Sequence, residues 1–88
     1  MTEFLIVFMP RAITDLTRLD KPIAQRILYK LKWLSQHLDD LTPDGLTGEL
    51  KGFYKLRVGH YRVMYTTNEQ DHLLLVHLIG HRRDIYRR

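Results

Sequence analysis

Residues 50–88 read LKGFYKLRVGHYRVMYTTNEQDHLLLVHLIGHRRDIYRR, and cationic side chains alternate there with aromatic and aliphatic ones. Successive side chains of a strand point to opposite faces of the sheet. The first strand of this stretch therefore has an apolar face that includes Tyr54 and Leu56 and a charged face that includes Lys55 and Arg57. The pattern predicts a sheet with one face in the core and one basic face.

Two further strands follow in the same stretch. Residues 61–66 repeat the alternation, with Arg62 among the polar positions. Residues 73–79 are apolar on both faces, which is typical of a central strand. The joints at residues 59–60 and 68–71 are short and rich in turn formers, so the three strands are expected to form an antiparallel meander.

The first half of the chain predicts one strand and two helices. A run of large apolar residues ends at Pro10, which is tolerated in the first turn of a helix. Apolar residues recur at helical spacing from there to Leu19, and a second helix starts after Asp20, with Pro22 in its first turn. The short connection favours a two-helix hairpin. Residues 37–49 have the composition of a loop.

Helical spacing also assigns faces. Asp15 and Arg18 are expected on the outer side of the first helix. The expected buried stripe of the second helix contains Ile23, Ile27, Leu31, Leu34 and Leu38, widened by Ala24, Leu28 and Trp33. The outer side is expected to carry Arg26, Lys30 and Lys32.

Length and composition limit the architecture. The chain has 88 residues, of which 44% are hydrophobic and 27% charged, as in a globular protein with one core. We therefore expect a single α+β domain over residues 1–88, with an N-terminal strand, a two-helix hairpin and a three-stranded antiparallel meander.

Charge favours an anionic partner. The formal net charge is +4, and from residue 50 onward eight Lys or Arg residues face three Asp or Glu residues. Arginine matches phosphate and aromatic rings stack on bases. On the residues alone, RNA binding with or without cleavage remains open, as do an acidic protein partner and an ordinary solvated face.

Other chemistries lack support in the sequence. There is no cysteine, and the one serine, Ser35, has no activating base near it in sequence. His77 and His81 share a face by strand alternation but have no supporting carboxylate, so no metal or cofactor is expected. The N-terminal apolar run is too short to span a bilayer and does not resemble a signal peptide. A cytoplasmic protein without a membrane partner is the expectation.

RNA cleavage is compatible with these residues because RNA carries its own nucleophile, the 2′-hydroxyl. The protein must deprotonate that hydroxyl, stabilise charge on the phosphate and assist the leaving oxygen. The candidates for these tasks are Lys55, Arg57, Arg62, Arg82 and Tyr86.

The motifs YKLRVGHYRVMY at residues 54–65 and IGHRRDIYR at residues 79–87 resemble the RelE/ParE superfamily of bacterial and archaeal type II toxins. The resemblance covers essentially the whole chain and implies the RelE-like toxin fold. In the RelE branch the toxin enters the ribosomal A site and cuts mRNA. A member would also have a cognate antitoxin, with which it forms a hetero-oligomeric complex.

The resemblance also implies roles for single residues. By motif, Arg62 matches the phosphate-stabilising arginine, Arg82 the second catalytic arginine and Tyr86 the general base. Lys55 and Arg57 match the basic pair that binds RNA, and Arg83 is added to them for its charge. The ParE branch shares the fold but inhibits DNA gyrase without nuclease activity, and a non-toxic binding module is a third possibility.

Overall fold

A five-stranded sheet forms the centre of the structure, a computed structural model that describes residues 3–40, 44–45 and 52–85. The strands are β1 (Leu5–Phe8), β2 (Asp44–Gly45), β3 (Tyr54–Val58), β4 (Tyr61–Asn68) and β5 (Leu73–His81). Their order across the sheet is β1-β5-β4-β3-β2. Only β1 and β5 pair in parallel, and the other neighbours are antiparallel. The predicted α+β architecture, with its strand, two helices and meander, is confirmed.

The parallel pairing of β1 with β5 makes β5 a central strand, as its apolar sequence predicts. Leu5 pairs with Leu73 and Phe8 with Val76, so β5 lies between β1 and β4. This position explains why β5 is apolar at nearly every residue. The short strand β2 was not predicted, because residues 37–49 have the composition of a loop. It pairs with Tyr54 and Lys55 of β3, and residues 41–43 and 46–49 of that loop lie outside the described residues.

Two helices cover one face of the sheet. They are α1 (Pro10–Thr17) and α2 (Lys21–His37), and a 3-10 turn (Leu38–Asp40) follows α2. Each helix has a proline in its first turn, and Asp20 is the N-cap of α2, as the sequence indicates. The buried core between helices and sheet consists of Phe4, Ala12, Ile27, Leu31, Leu34, Leu38, Val63, Tyr65, Leu74, Val76 and Ile79.

The expected width of the buried stripe on α2 is wrong. Leu28 and Trp33 do not reach the core and are 42% and 37% exposed. Ile27, Leu31 and Leu34 already fill the side of α2 that faces the sheet. Trp33 remains at the surface, where its ring stacks on the imidazole of His37 with 4.4 Å between centroids.

Asp15 is buried, although helical spacing placed it on the outer side. Its side chain is only 7% exposed, and Oδ2 accepts a hydrogen bond of 2.9 Å from the backbone N–H of Ile79. Strand β1 ends at Phe8, opposite Val76, so it does not extend far enough to pair with Ile79. Helix α1 supplies the missing acceptor, and Arg11 donates to Oδ1 at 3.2 Å.

Replacing Asp15 by alanine is expected to lower the free energy of unfolding by about 1–3 kcal/mol, because a buried N–H loses its acceptor. Asp15→Asn is the matched variant, since its amide oxygen can still accept from Ile79. It should retain most of that stability in urea unfolding. Equal destabilisation by the two substitutions would contradict the role assigned to this hydrogen bond.

Candidate nucleic-acid interface

The sheet face opposite the helices carries the basic residues of β3 and β4. In the register, Arg57 of β3 lies opposite Arg62 of β4, and Arg62 lies opposite Gly80 of β5. Lys55 lies two residues from Arg57 on the same face, opposite Met64. Residues directly opposite each other have Cβ atoms about 4.5–5.5 Å apart. We call the side of the sheet formed by Lys55, Arg57 and Arg62 the basic face.

Arg57 and Arg62 form a like-charged pair across two strands. Such a pair destabilises a sheet unless another interaction compensates for it. An ion pair joins Arg11 to Asp15 on the side of the helices, and it involves neither Arg57 nor Arg62. Arg57 and Arg62 thus have no carboxylate partner within the part of the chain that the structure describes. Two neighbouring arginines with unneutralised charge are suited to bind an anion.

The guanidinium of Arg62 is held by the backbone of the turn between β3 and β4. Its Nη1 donates to the carbonyl oxygens of Gly59 at 3.0 Å and Tyr61 at 2.9 Å. Gly59 has a φ of 60°, a conformation that glycine adopts without strain. Glycine with positive φ at the first position of a two-residue loop is typical of a type II′ turn. The remaining nitrogens of Arg62 make no hydrogen bond to the described residues and can donate to a ligand.

Arg82 and Arg83 lie at the same end of the sheet. The N–H of Arg82 donates to the carbonyl of His60 at 2.8 Å, which places Arg82 beside the β3–β4 turn. The chain then turns, because the N–H groups of Asp84 and Ile85 both donate to the carbonyl of His81. Both arginines are exposed. The fold therefore brings Arg57, Arg62, Arg82 and Arg83 to one end of the sheet.

Ile85 anchors this turn, and the sequence interpretation missed its role. The side chain is 2% exposed. A Cβ atom at Gly80 would lie 3.3 Å from Cδ1 of Ile85, so the missing side chain of Gly80 leaves the space in which Ile85 packs. No sequence pattern marks this contact, because it forms only when the turn after β5 packs against Gly80. Tyr86, the predicted general base, comes next in the sequence and lies outside the described residues.

The two histidines that strand alternation placed on one face lie on opposite faces. A bulge in the pairing of β4 with β5 adds one residue to β5, His77, and this residue reverses the alternation. His77 Nε2 lies 2.7 Å from Oγ1 of Thr66, and its ring contacts Phe53. His81 packs against Tyr61, on the side of the core. Burial lowers the pKa of His77, which favours the neutral form of this ring beside the basic face.

The sequence matches a known family over nearly its full length. Residues 6–86 match the family of ParE toxins of the type II toxin–antitoxin system parDE. The chain belongs to the ParE toxin family. It is thus a toxin of the RelE/ParE superfamily, and the predicted superfamily is confirmed. No curated protein matches this toxin.

Solved structures show the fold of this toxin. The RelBE2 toxin–antitoxin complex from Mycobacterium tuberculosis has a chain that is 25% identical, with a TM-score of 0.84 and coverage of 96% of the toxin and 97% of that chain. The isolated RelE toxin of E. coli is 20% identical, with a TM-score of 0.71 and coverage of 89% and 83%. The archaeal RelE–RelB complex from Pyrococcus horikoshii is 23% identical, with a TM-score of 0.73 and coverage of 94% and 99%. Within the described part of the toxin, no helix has the length and hydropathy needed to cross a bilayer.

Proposed function

We propose that this ParE-family toxin is a ribosome-dependent, metal-independent endoribonuclease that cuts mRNA. The observation that carries the proposal is the register pair of Arg57 and Arg62, which concentrates positive charge without a carboxylate partner among the described residues. A sheet tolerates such a pair where it serves a ligand. The ligand with the matching chemistry is a phosphodiester, whose oxygens accept from the planar fork of a guanidinium.

The reaction begins when a base removes the proton of the 2′-hydroxyl next to the scissile phosphate. The 2′-oxygen attacks phosphorus, the bond to the 5′-oxygen breaks, and the leaving oxygen takes a proton from water. The products are a 2′,3′-cyclic phosphate on one fragment and a 5′-hydroxyl on the other. We assign the base to Tyr86. Arg62 would stabilise the charge on the phosphate, and Arg82 would stabilise charge or assist the leaving oxygen. Lys55, Arg57 and Arg83 would hold the RNA.

The hydrogen bonds of Arg62 support its assignment. Its guanidinium is already oriented by the carbonyl groups of Gly59 and Tyr61, so little reorganisation is needed when charge develops on the phosphate. Donors that are oriented in advance are the main source of electrostatic catalysis. Arg57 is exposed and is better suited to binding than to this role.

The proposed partner of the toxin is a cognate antitoxin. The complexes from Mycobacterium tuberculosis and Pyrococcus horikoshii are both toxin–antitoxin assemblies. An antitoxin that covers the basic face would neutralise the charge of Arg57 and Arg62 and exclude RNA. The resulting complex would be hetero-oligomeric, and the free toxin would act on the ribosome with its mRNA.

Inhibition of DNA gyrase is the second candidate function, because the matching family is that of ParE toxins. A gyrase inhibitor acts by binding protein and needs neither a base nor a phosphate-stabilising arginine. A supercoiling assay with purified gyrase distinguishes the two functions. Inhibition of supercoiling without RNA cleavage would favour this candidate.

Primer extension on a defined mRNA tests the nuclease. Purified toxin is added to programmed ribosomes, with a ribosome-free reaction and a Tyr86→Phe variant alongside. Cuts that require ribosomes and disappear with Tyr86→Phe are the expected result. Intact mRNA in the presence of wild-type toxin and ribosomes would contradict the proposal.

A further inference from the structure

A groove of about 750 Å³ lies between α2 and the turn that joins β3 to β4. Among the described residues that line it, three are cationic, namely Arg26, Lys30 and Arg57, and none is acidic. Arg57 also belongs to the basic face, since it lies opposite Arg62 in the register. A positive surface therefore continues from the basic face past the end of β3 to α2.

The solvent side of α2 extends this surface as a row of cations and rings. An α-helix turns by about 100° per residue, so positions 26, 29, 30, 33 and 37 lie within a sector of about 100°. We call Arg26, Tyr29, Lys30, Trp33 and His37 the α2 stripe. Tyr29 is 76% exposed, and the Nζ atom of Lys30 lies 5.0 Å from the ring centroid of Trp33. The 17 residues of α2 include no Asp or Glu.

We propose that the α2 stripe and its groove bind structured RNA at a docking site separate from the cleavage centre. This inference rests on the proposed function in that it takes RNA as the ligand. Cations supply contacts to phosphates, and the exposed Tyr29 supplies a ring on which a base can stack, whereas the Trp33 ring is already in contact with His37 and Lys30. A polymer can follow the positive surface from α2 to the basic face, which a small anion cannot do. The site thus holds the RNA body while the basic face acts on the strand to be cut.

The helix offers a matched pair of lysines for the test. Lys30 belongs to the α2 stripe. Lys32 is also exposed, but it lies outside the stripe, about 160° from Lys30 around the same helix. The probe is a labelled RNA hairpin with 2′-O-methyl groups throughout, which cannot be cut by 2′-hydroxyl attack. Its affinity for the full-length toxin is measured by fluorescence anisotropy at several salt concentrations. Lys30→Ala should weaken binding severalfold and lower the salt-dependence slope by about one, and Lys32→Ala should change neither.

A second pair tests the stacking contribution. Tyr29→Ala removes an exposed ring from the stripe, and Leu28→Ala removes an exposed aliphatic side chain that lies outside it. Loss of a stacking ring should weaken hairpin binding by about fivefold or more, and Leu28→Ala should bind like the wild type. Circular dichroism verifies that all four variants are folded.

The outcomes separate this inference from the proposed nuclease. Equal hairpin binding by Lys30→Ala and Lys32→Ala would overturn the docking site, even if the wild-type toxin cuts mRNA on ribosomes. A difference between these variants together with intact mRNA would support RNA docking and reject the nuclease. If Lys30→Ala weakens only the affinity for the antitoxin, the stripe is a protein interface and the inference is wrong.

Discussion

The Arg62→Ala variant is expected to cut mRNA about 10²–10³-fold more slowly than the wild-type toxin, the usual effect of removing one oriented donor from a transition state. Its free energy of unfolding should change by less than about 1 kcal/mol, because the loss of two hydrogen bonds from Nη1 is offset by relief of the repulsion from Arg57. Single-turnover cleavage on programmed ribosomes and urea unfolding measure the two effects. Lost activity with retained stability is typical of a residue that is kept for function.

Two variants serve as controls for Arg62→Ala. Arg18→Ala removes an exposed arginine at the end of α1, and its cleavage rate should equal that of the wild type. Arg62→Lys retains the charge but loses the planar fork, so its rate should lie between those of the wild type and Arg62→Ala. Undiminished cleavage by Arg62→Ala would remove this residue from the proposed site.

Replacing Gly80 by valine is expected to lower the cleavage rate by about 10²-fold through displacement of the turn that follows β5. The new side chain would occupy the space of Ile85, whose Cδ1 lies 3.3 Å from a Cβ at this position. Overpacking of this kind destabilises a protein by about 1–3 kcal/mol. The turn carries Arg82 and Arg83, and a shift of about 1 Å in a catalytic group is enough for such a loss of rate.

Gly80→Ala is the graded control, since a single methyl group requires a shift of only a few tenths of an ångström. Its rate should fall less than that of Gly80→Val, and affinity for the RNA hairpin should fall less as well. If Gly80→Val cuts mRNA at the wild-type rate, the packing of Ile85 against Gly80 does not position catalytic groups.

Local patterns were sufficient to predict most of the fold. Alternation over residues 54–58 identifies the face that carries Lys55 and Arg57, because side-chain direction in a strand depends only on parity. Residues 73–79, which are apolar on both faces, predict a central strand because a strand with neighbours on both sides and covered faces exposes little polar surface. The order of the elements along the chain follows from the same patterns, and the superfamily motifs imply the same fold.

Features that depend on distant register were not predictable. Asp15 is buried because β1 ends opposite Val76 and leaves the N–H of Ile79 to α1, and helical spacing contains no information on strand ends. The bulge at His77 reverses parity in the middle of β5, and side-chain alternation alone does not predict where a strand gains an extra residue. Strand β2 depends on pairing with β3 and not on its own Asp-Gly sequence.

The candidate site was predictable in part. Side-chain parity and charge identify Lys55, Arg57 and Arg62 as one cationic cluster, and the structure places them on one face. The contribution of the turn at residues 82–85 depends on contact between Gly80 and Ile85, which requires tertiary structure. Helical spacing assigned Arg26 and Lys30 to the outer side of α2. The structure adds that both line a groove together with Arg57, which is the basis for the RNA docking site proposed above.

The decisive measurement uses an mRNA with one 2′-deoxynucleotide immediately 5′ of the scissile phosphate, read by primer extension on programmed ribosomes. The wild-type toxin should cut the all-ribose mRNA to give a 2′,3′-cyclic phosphate and a 5′-hydroxyl, and should leave the substituted mRNA intact at that position. Equal cleavage of both mRNAs would contradict attack by the 2′-hydroxyl and the roles proposed for the basic face.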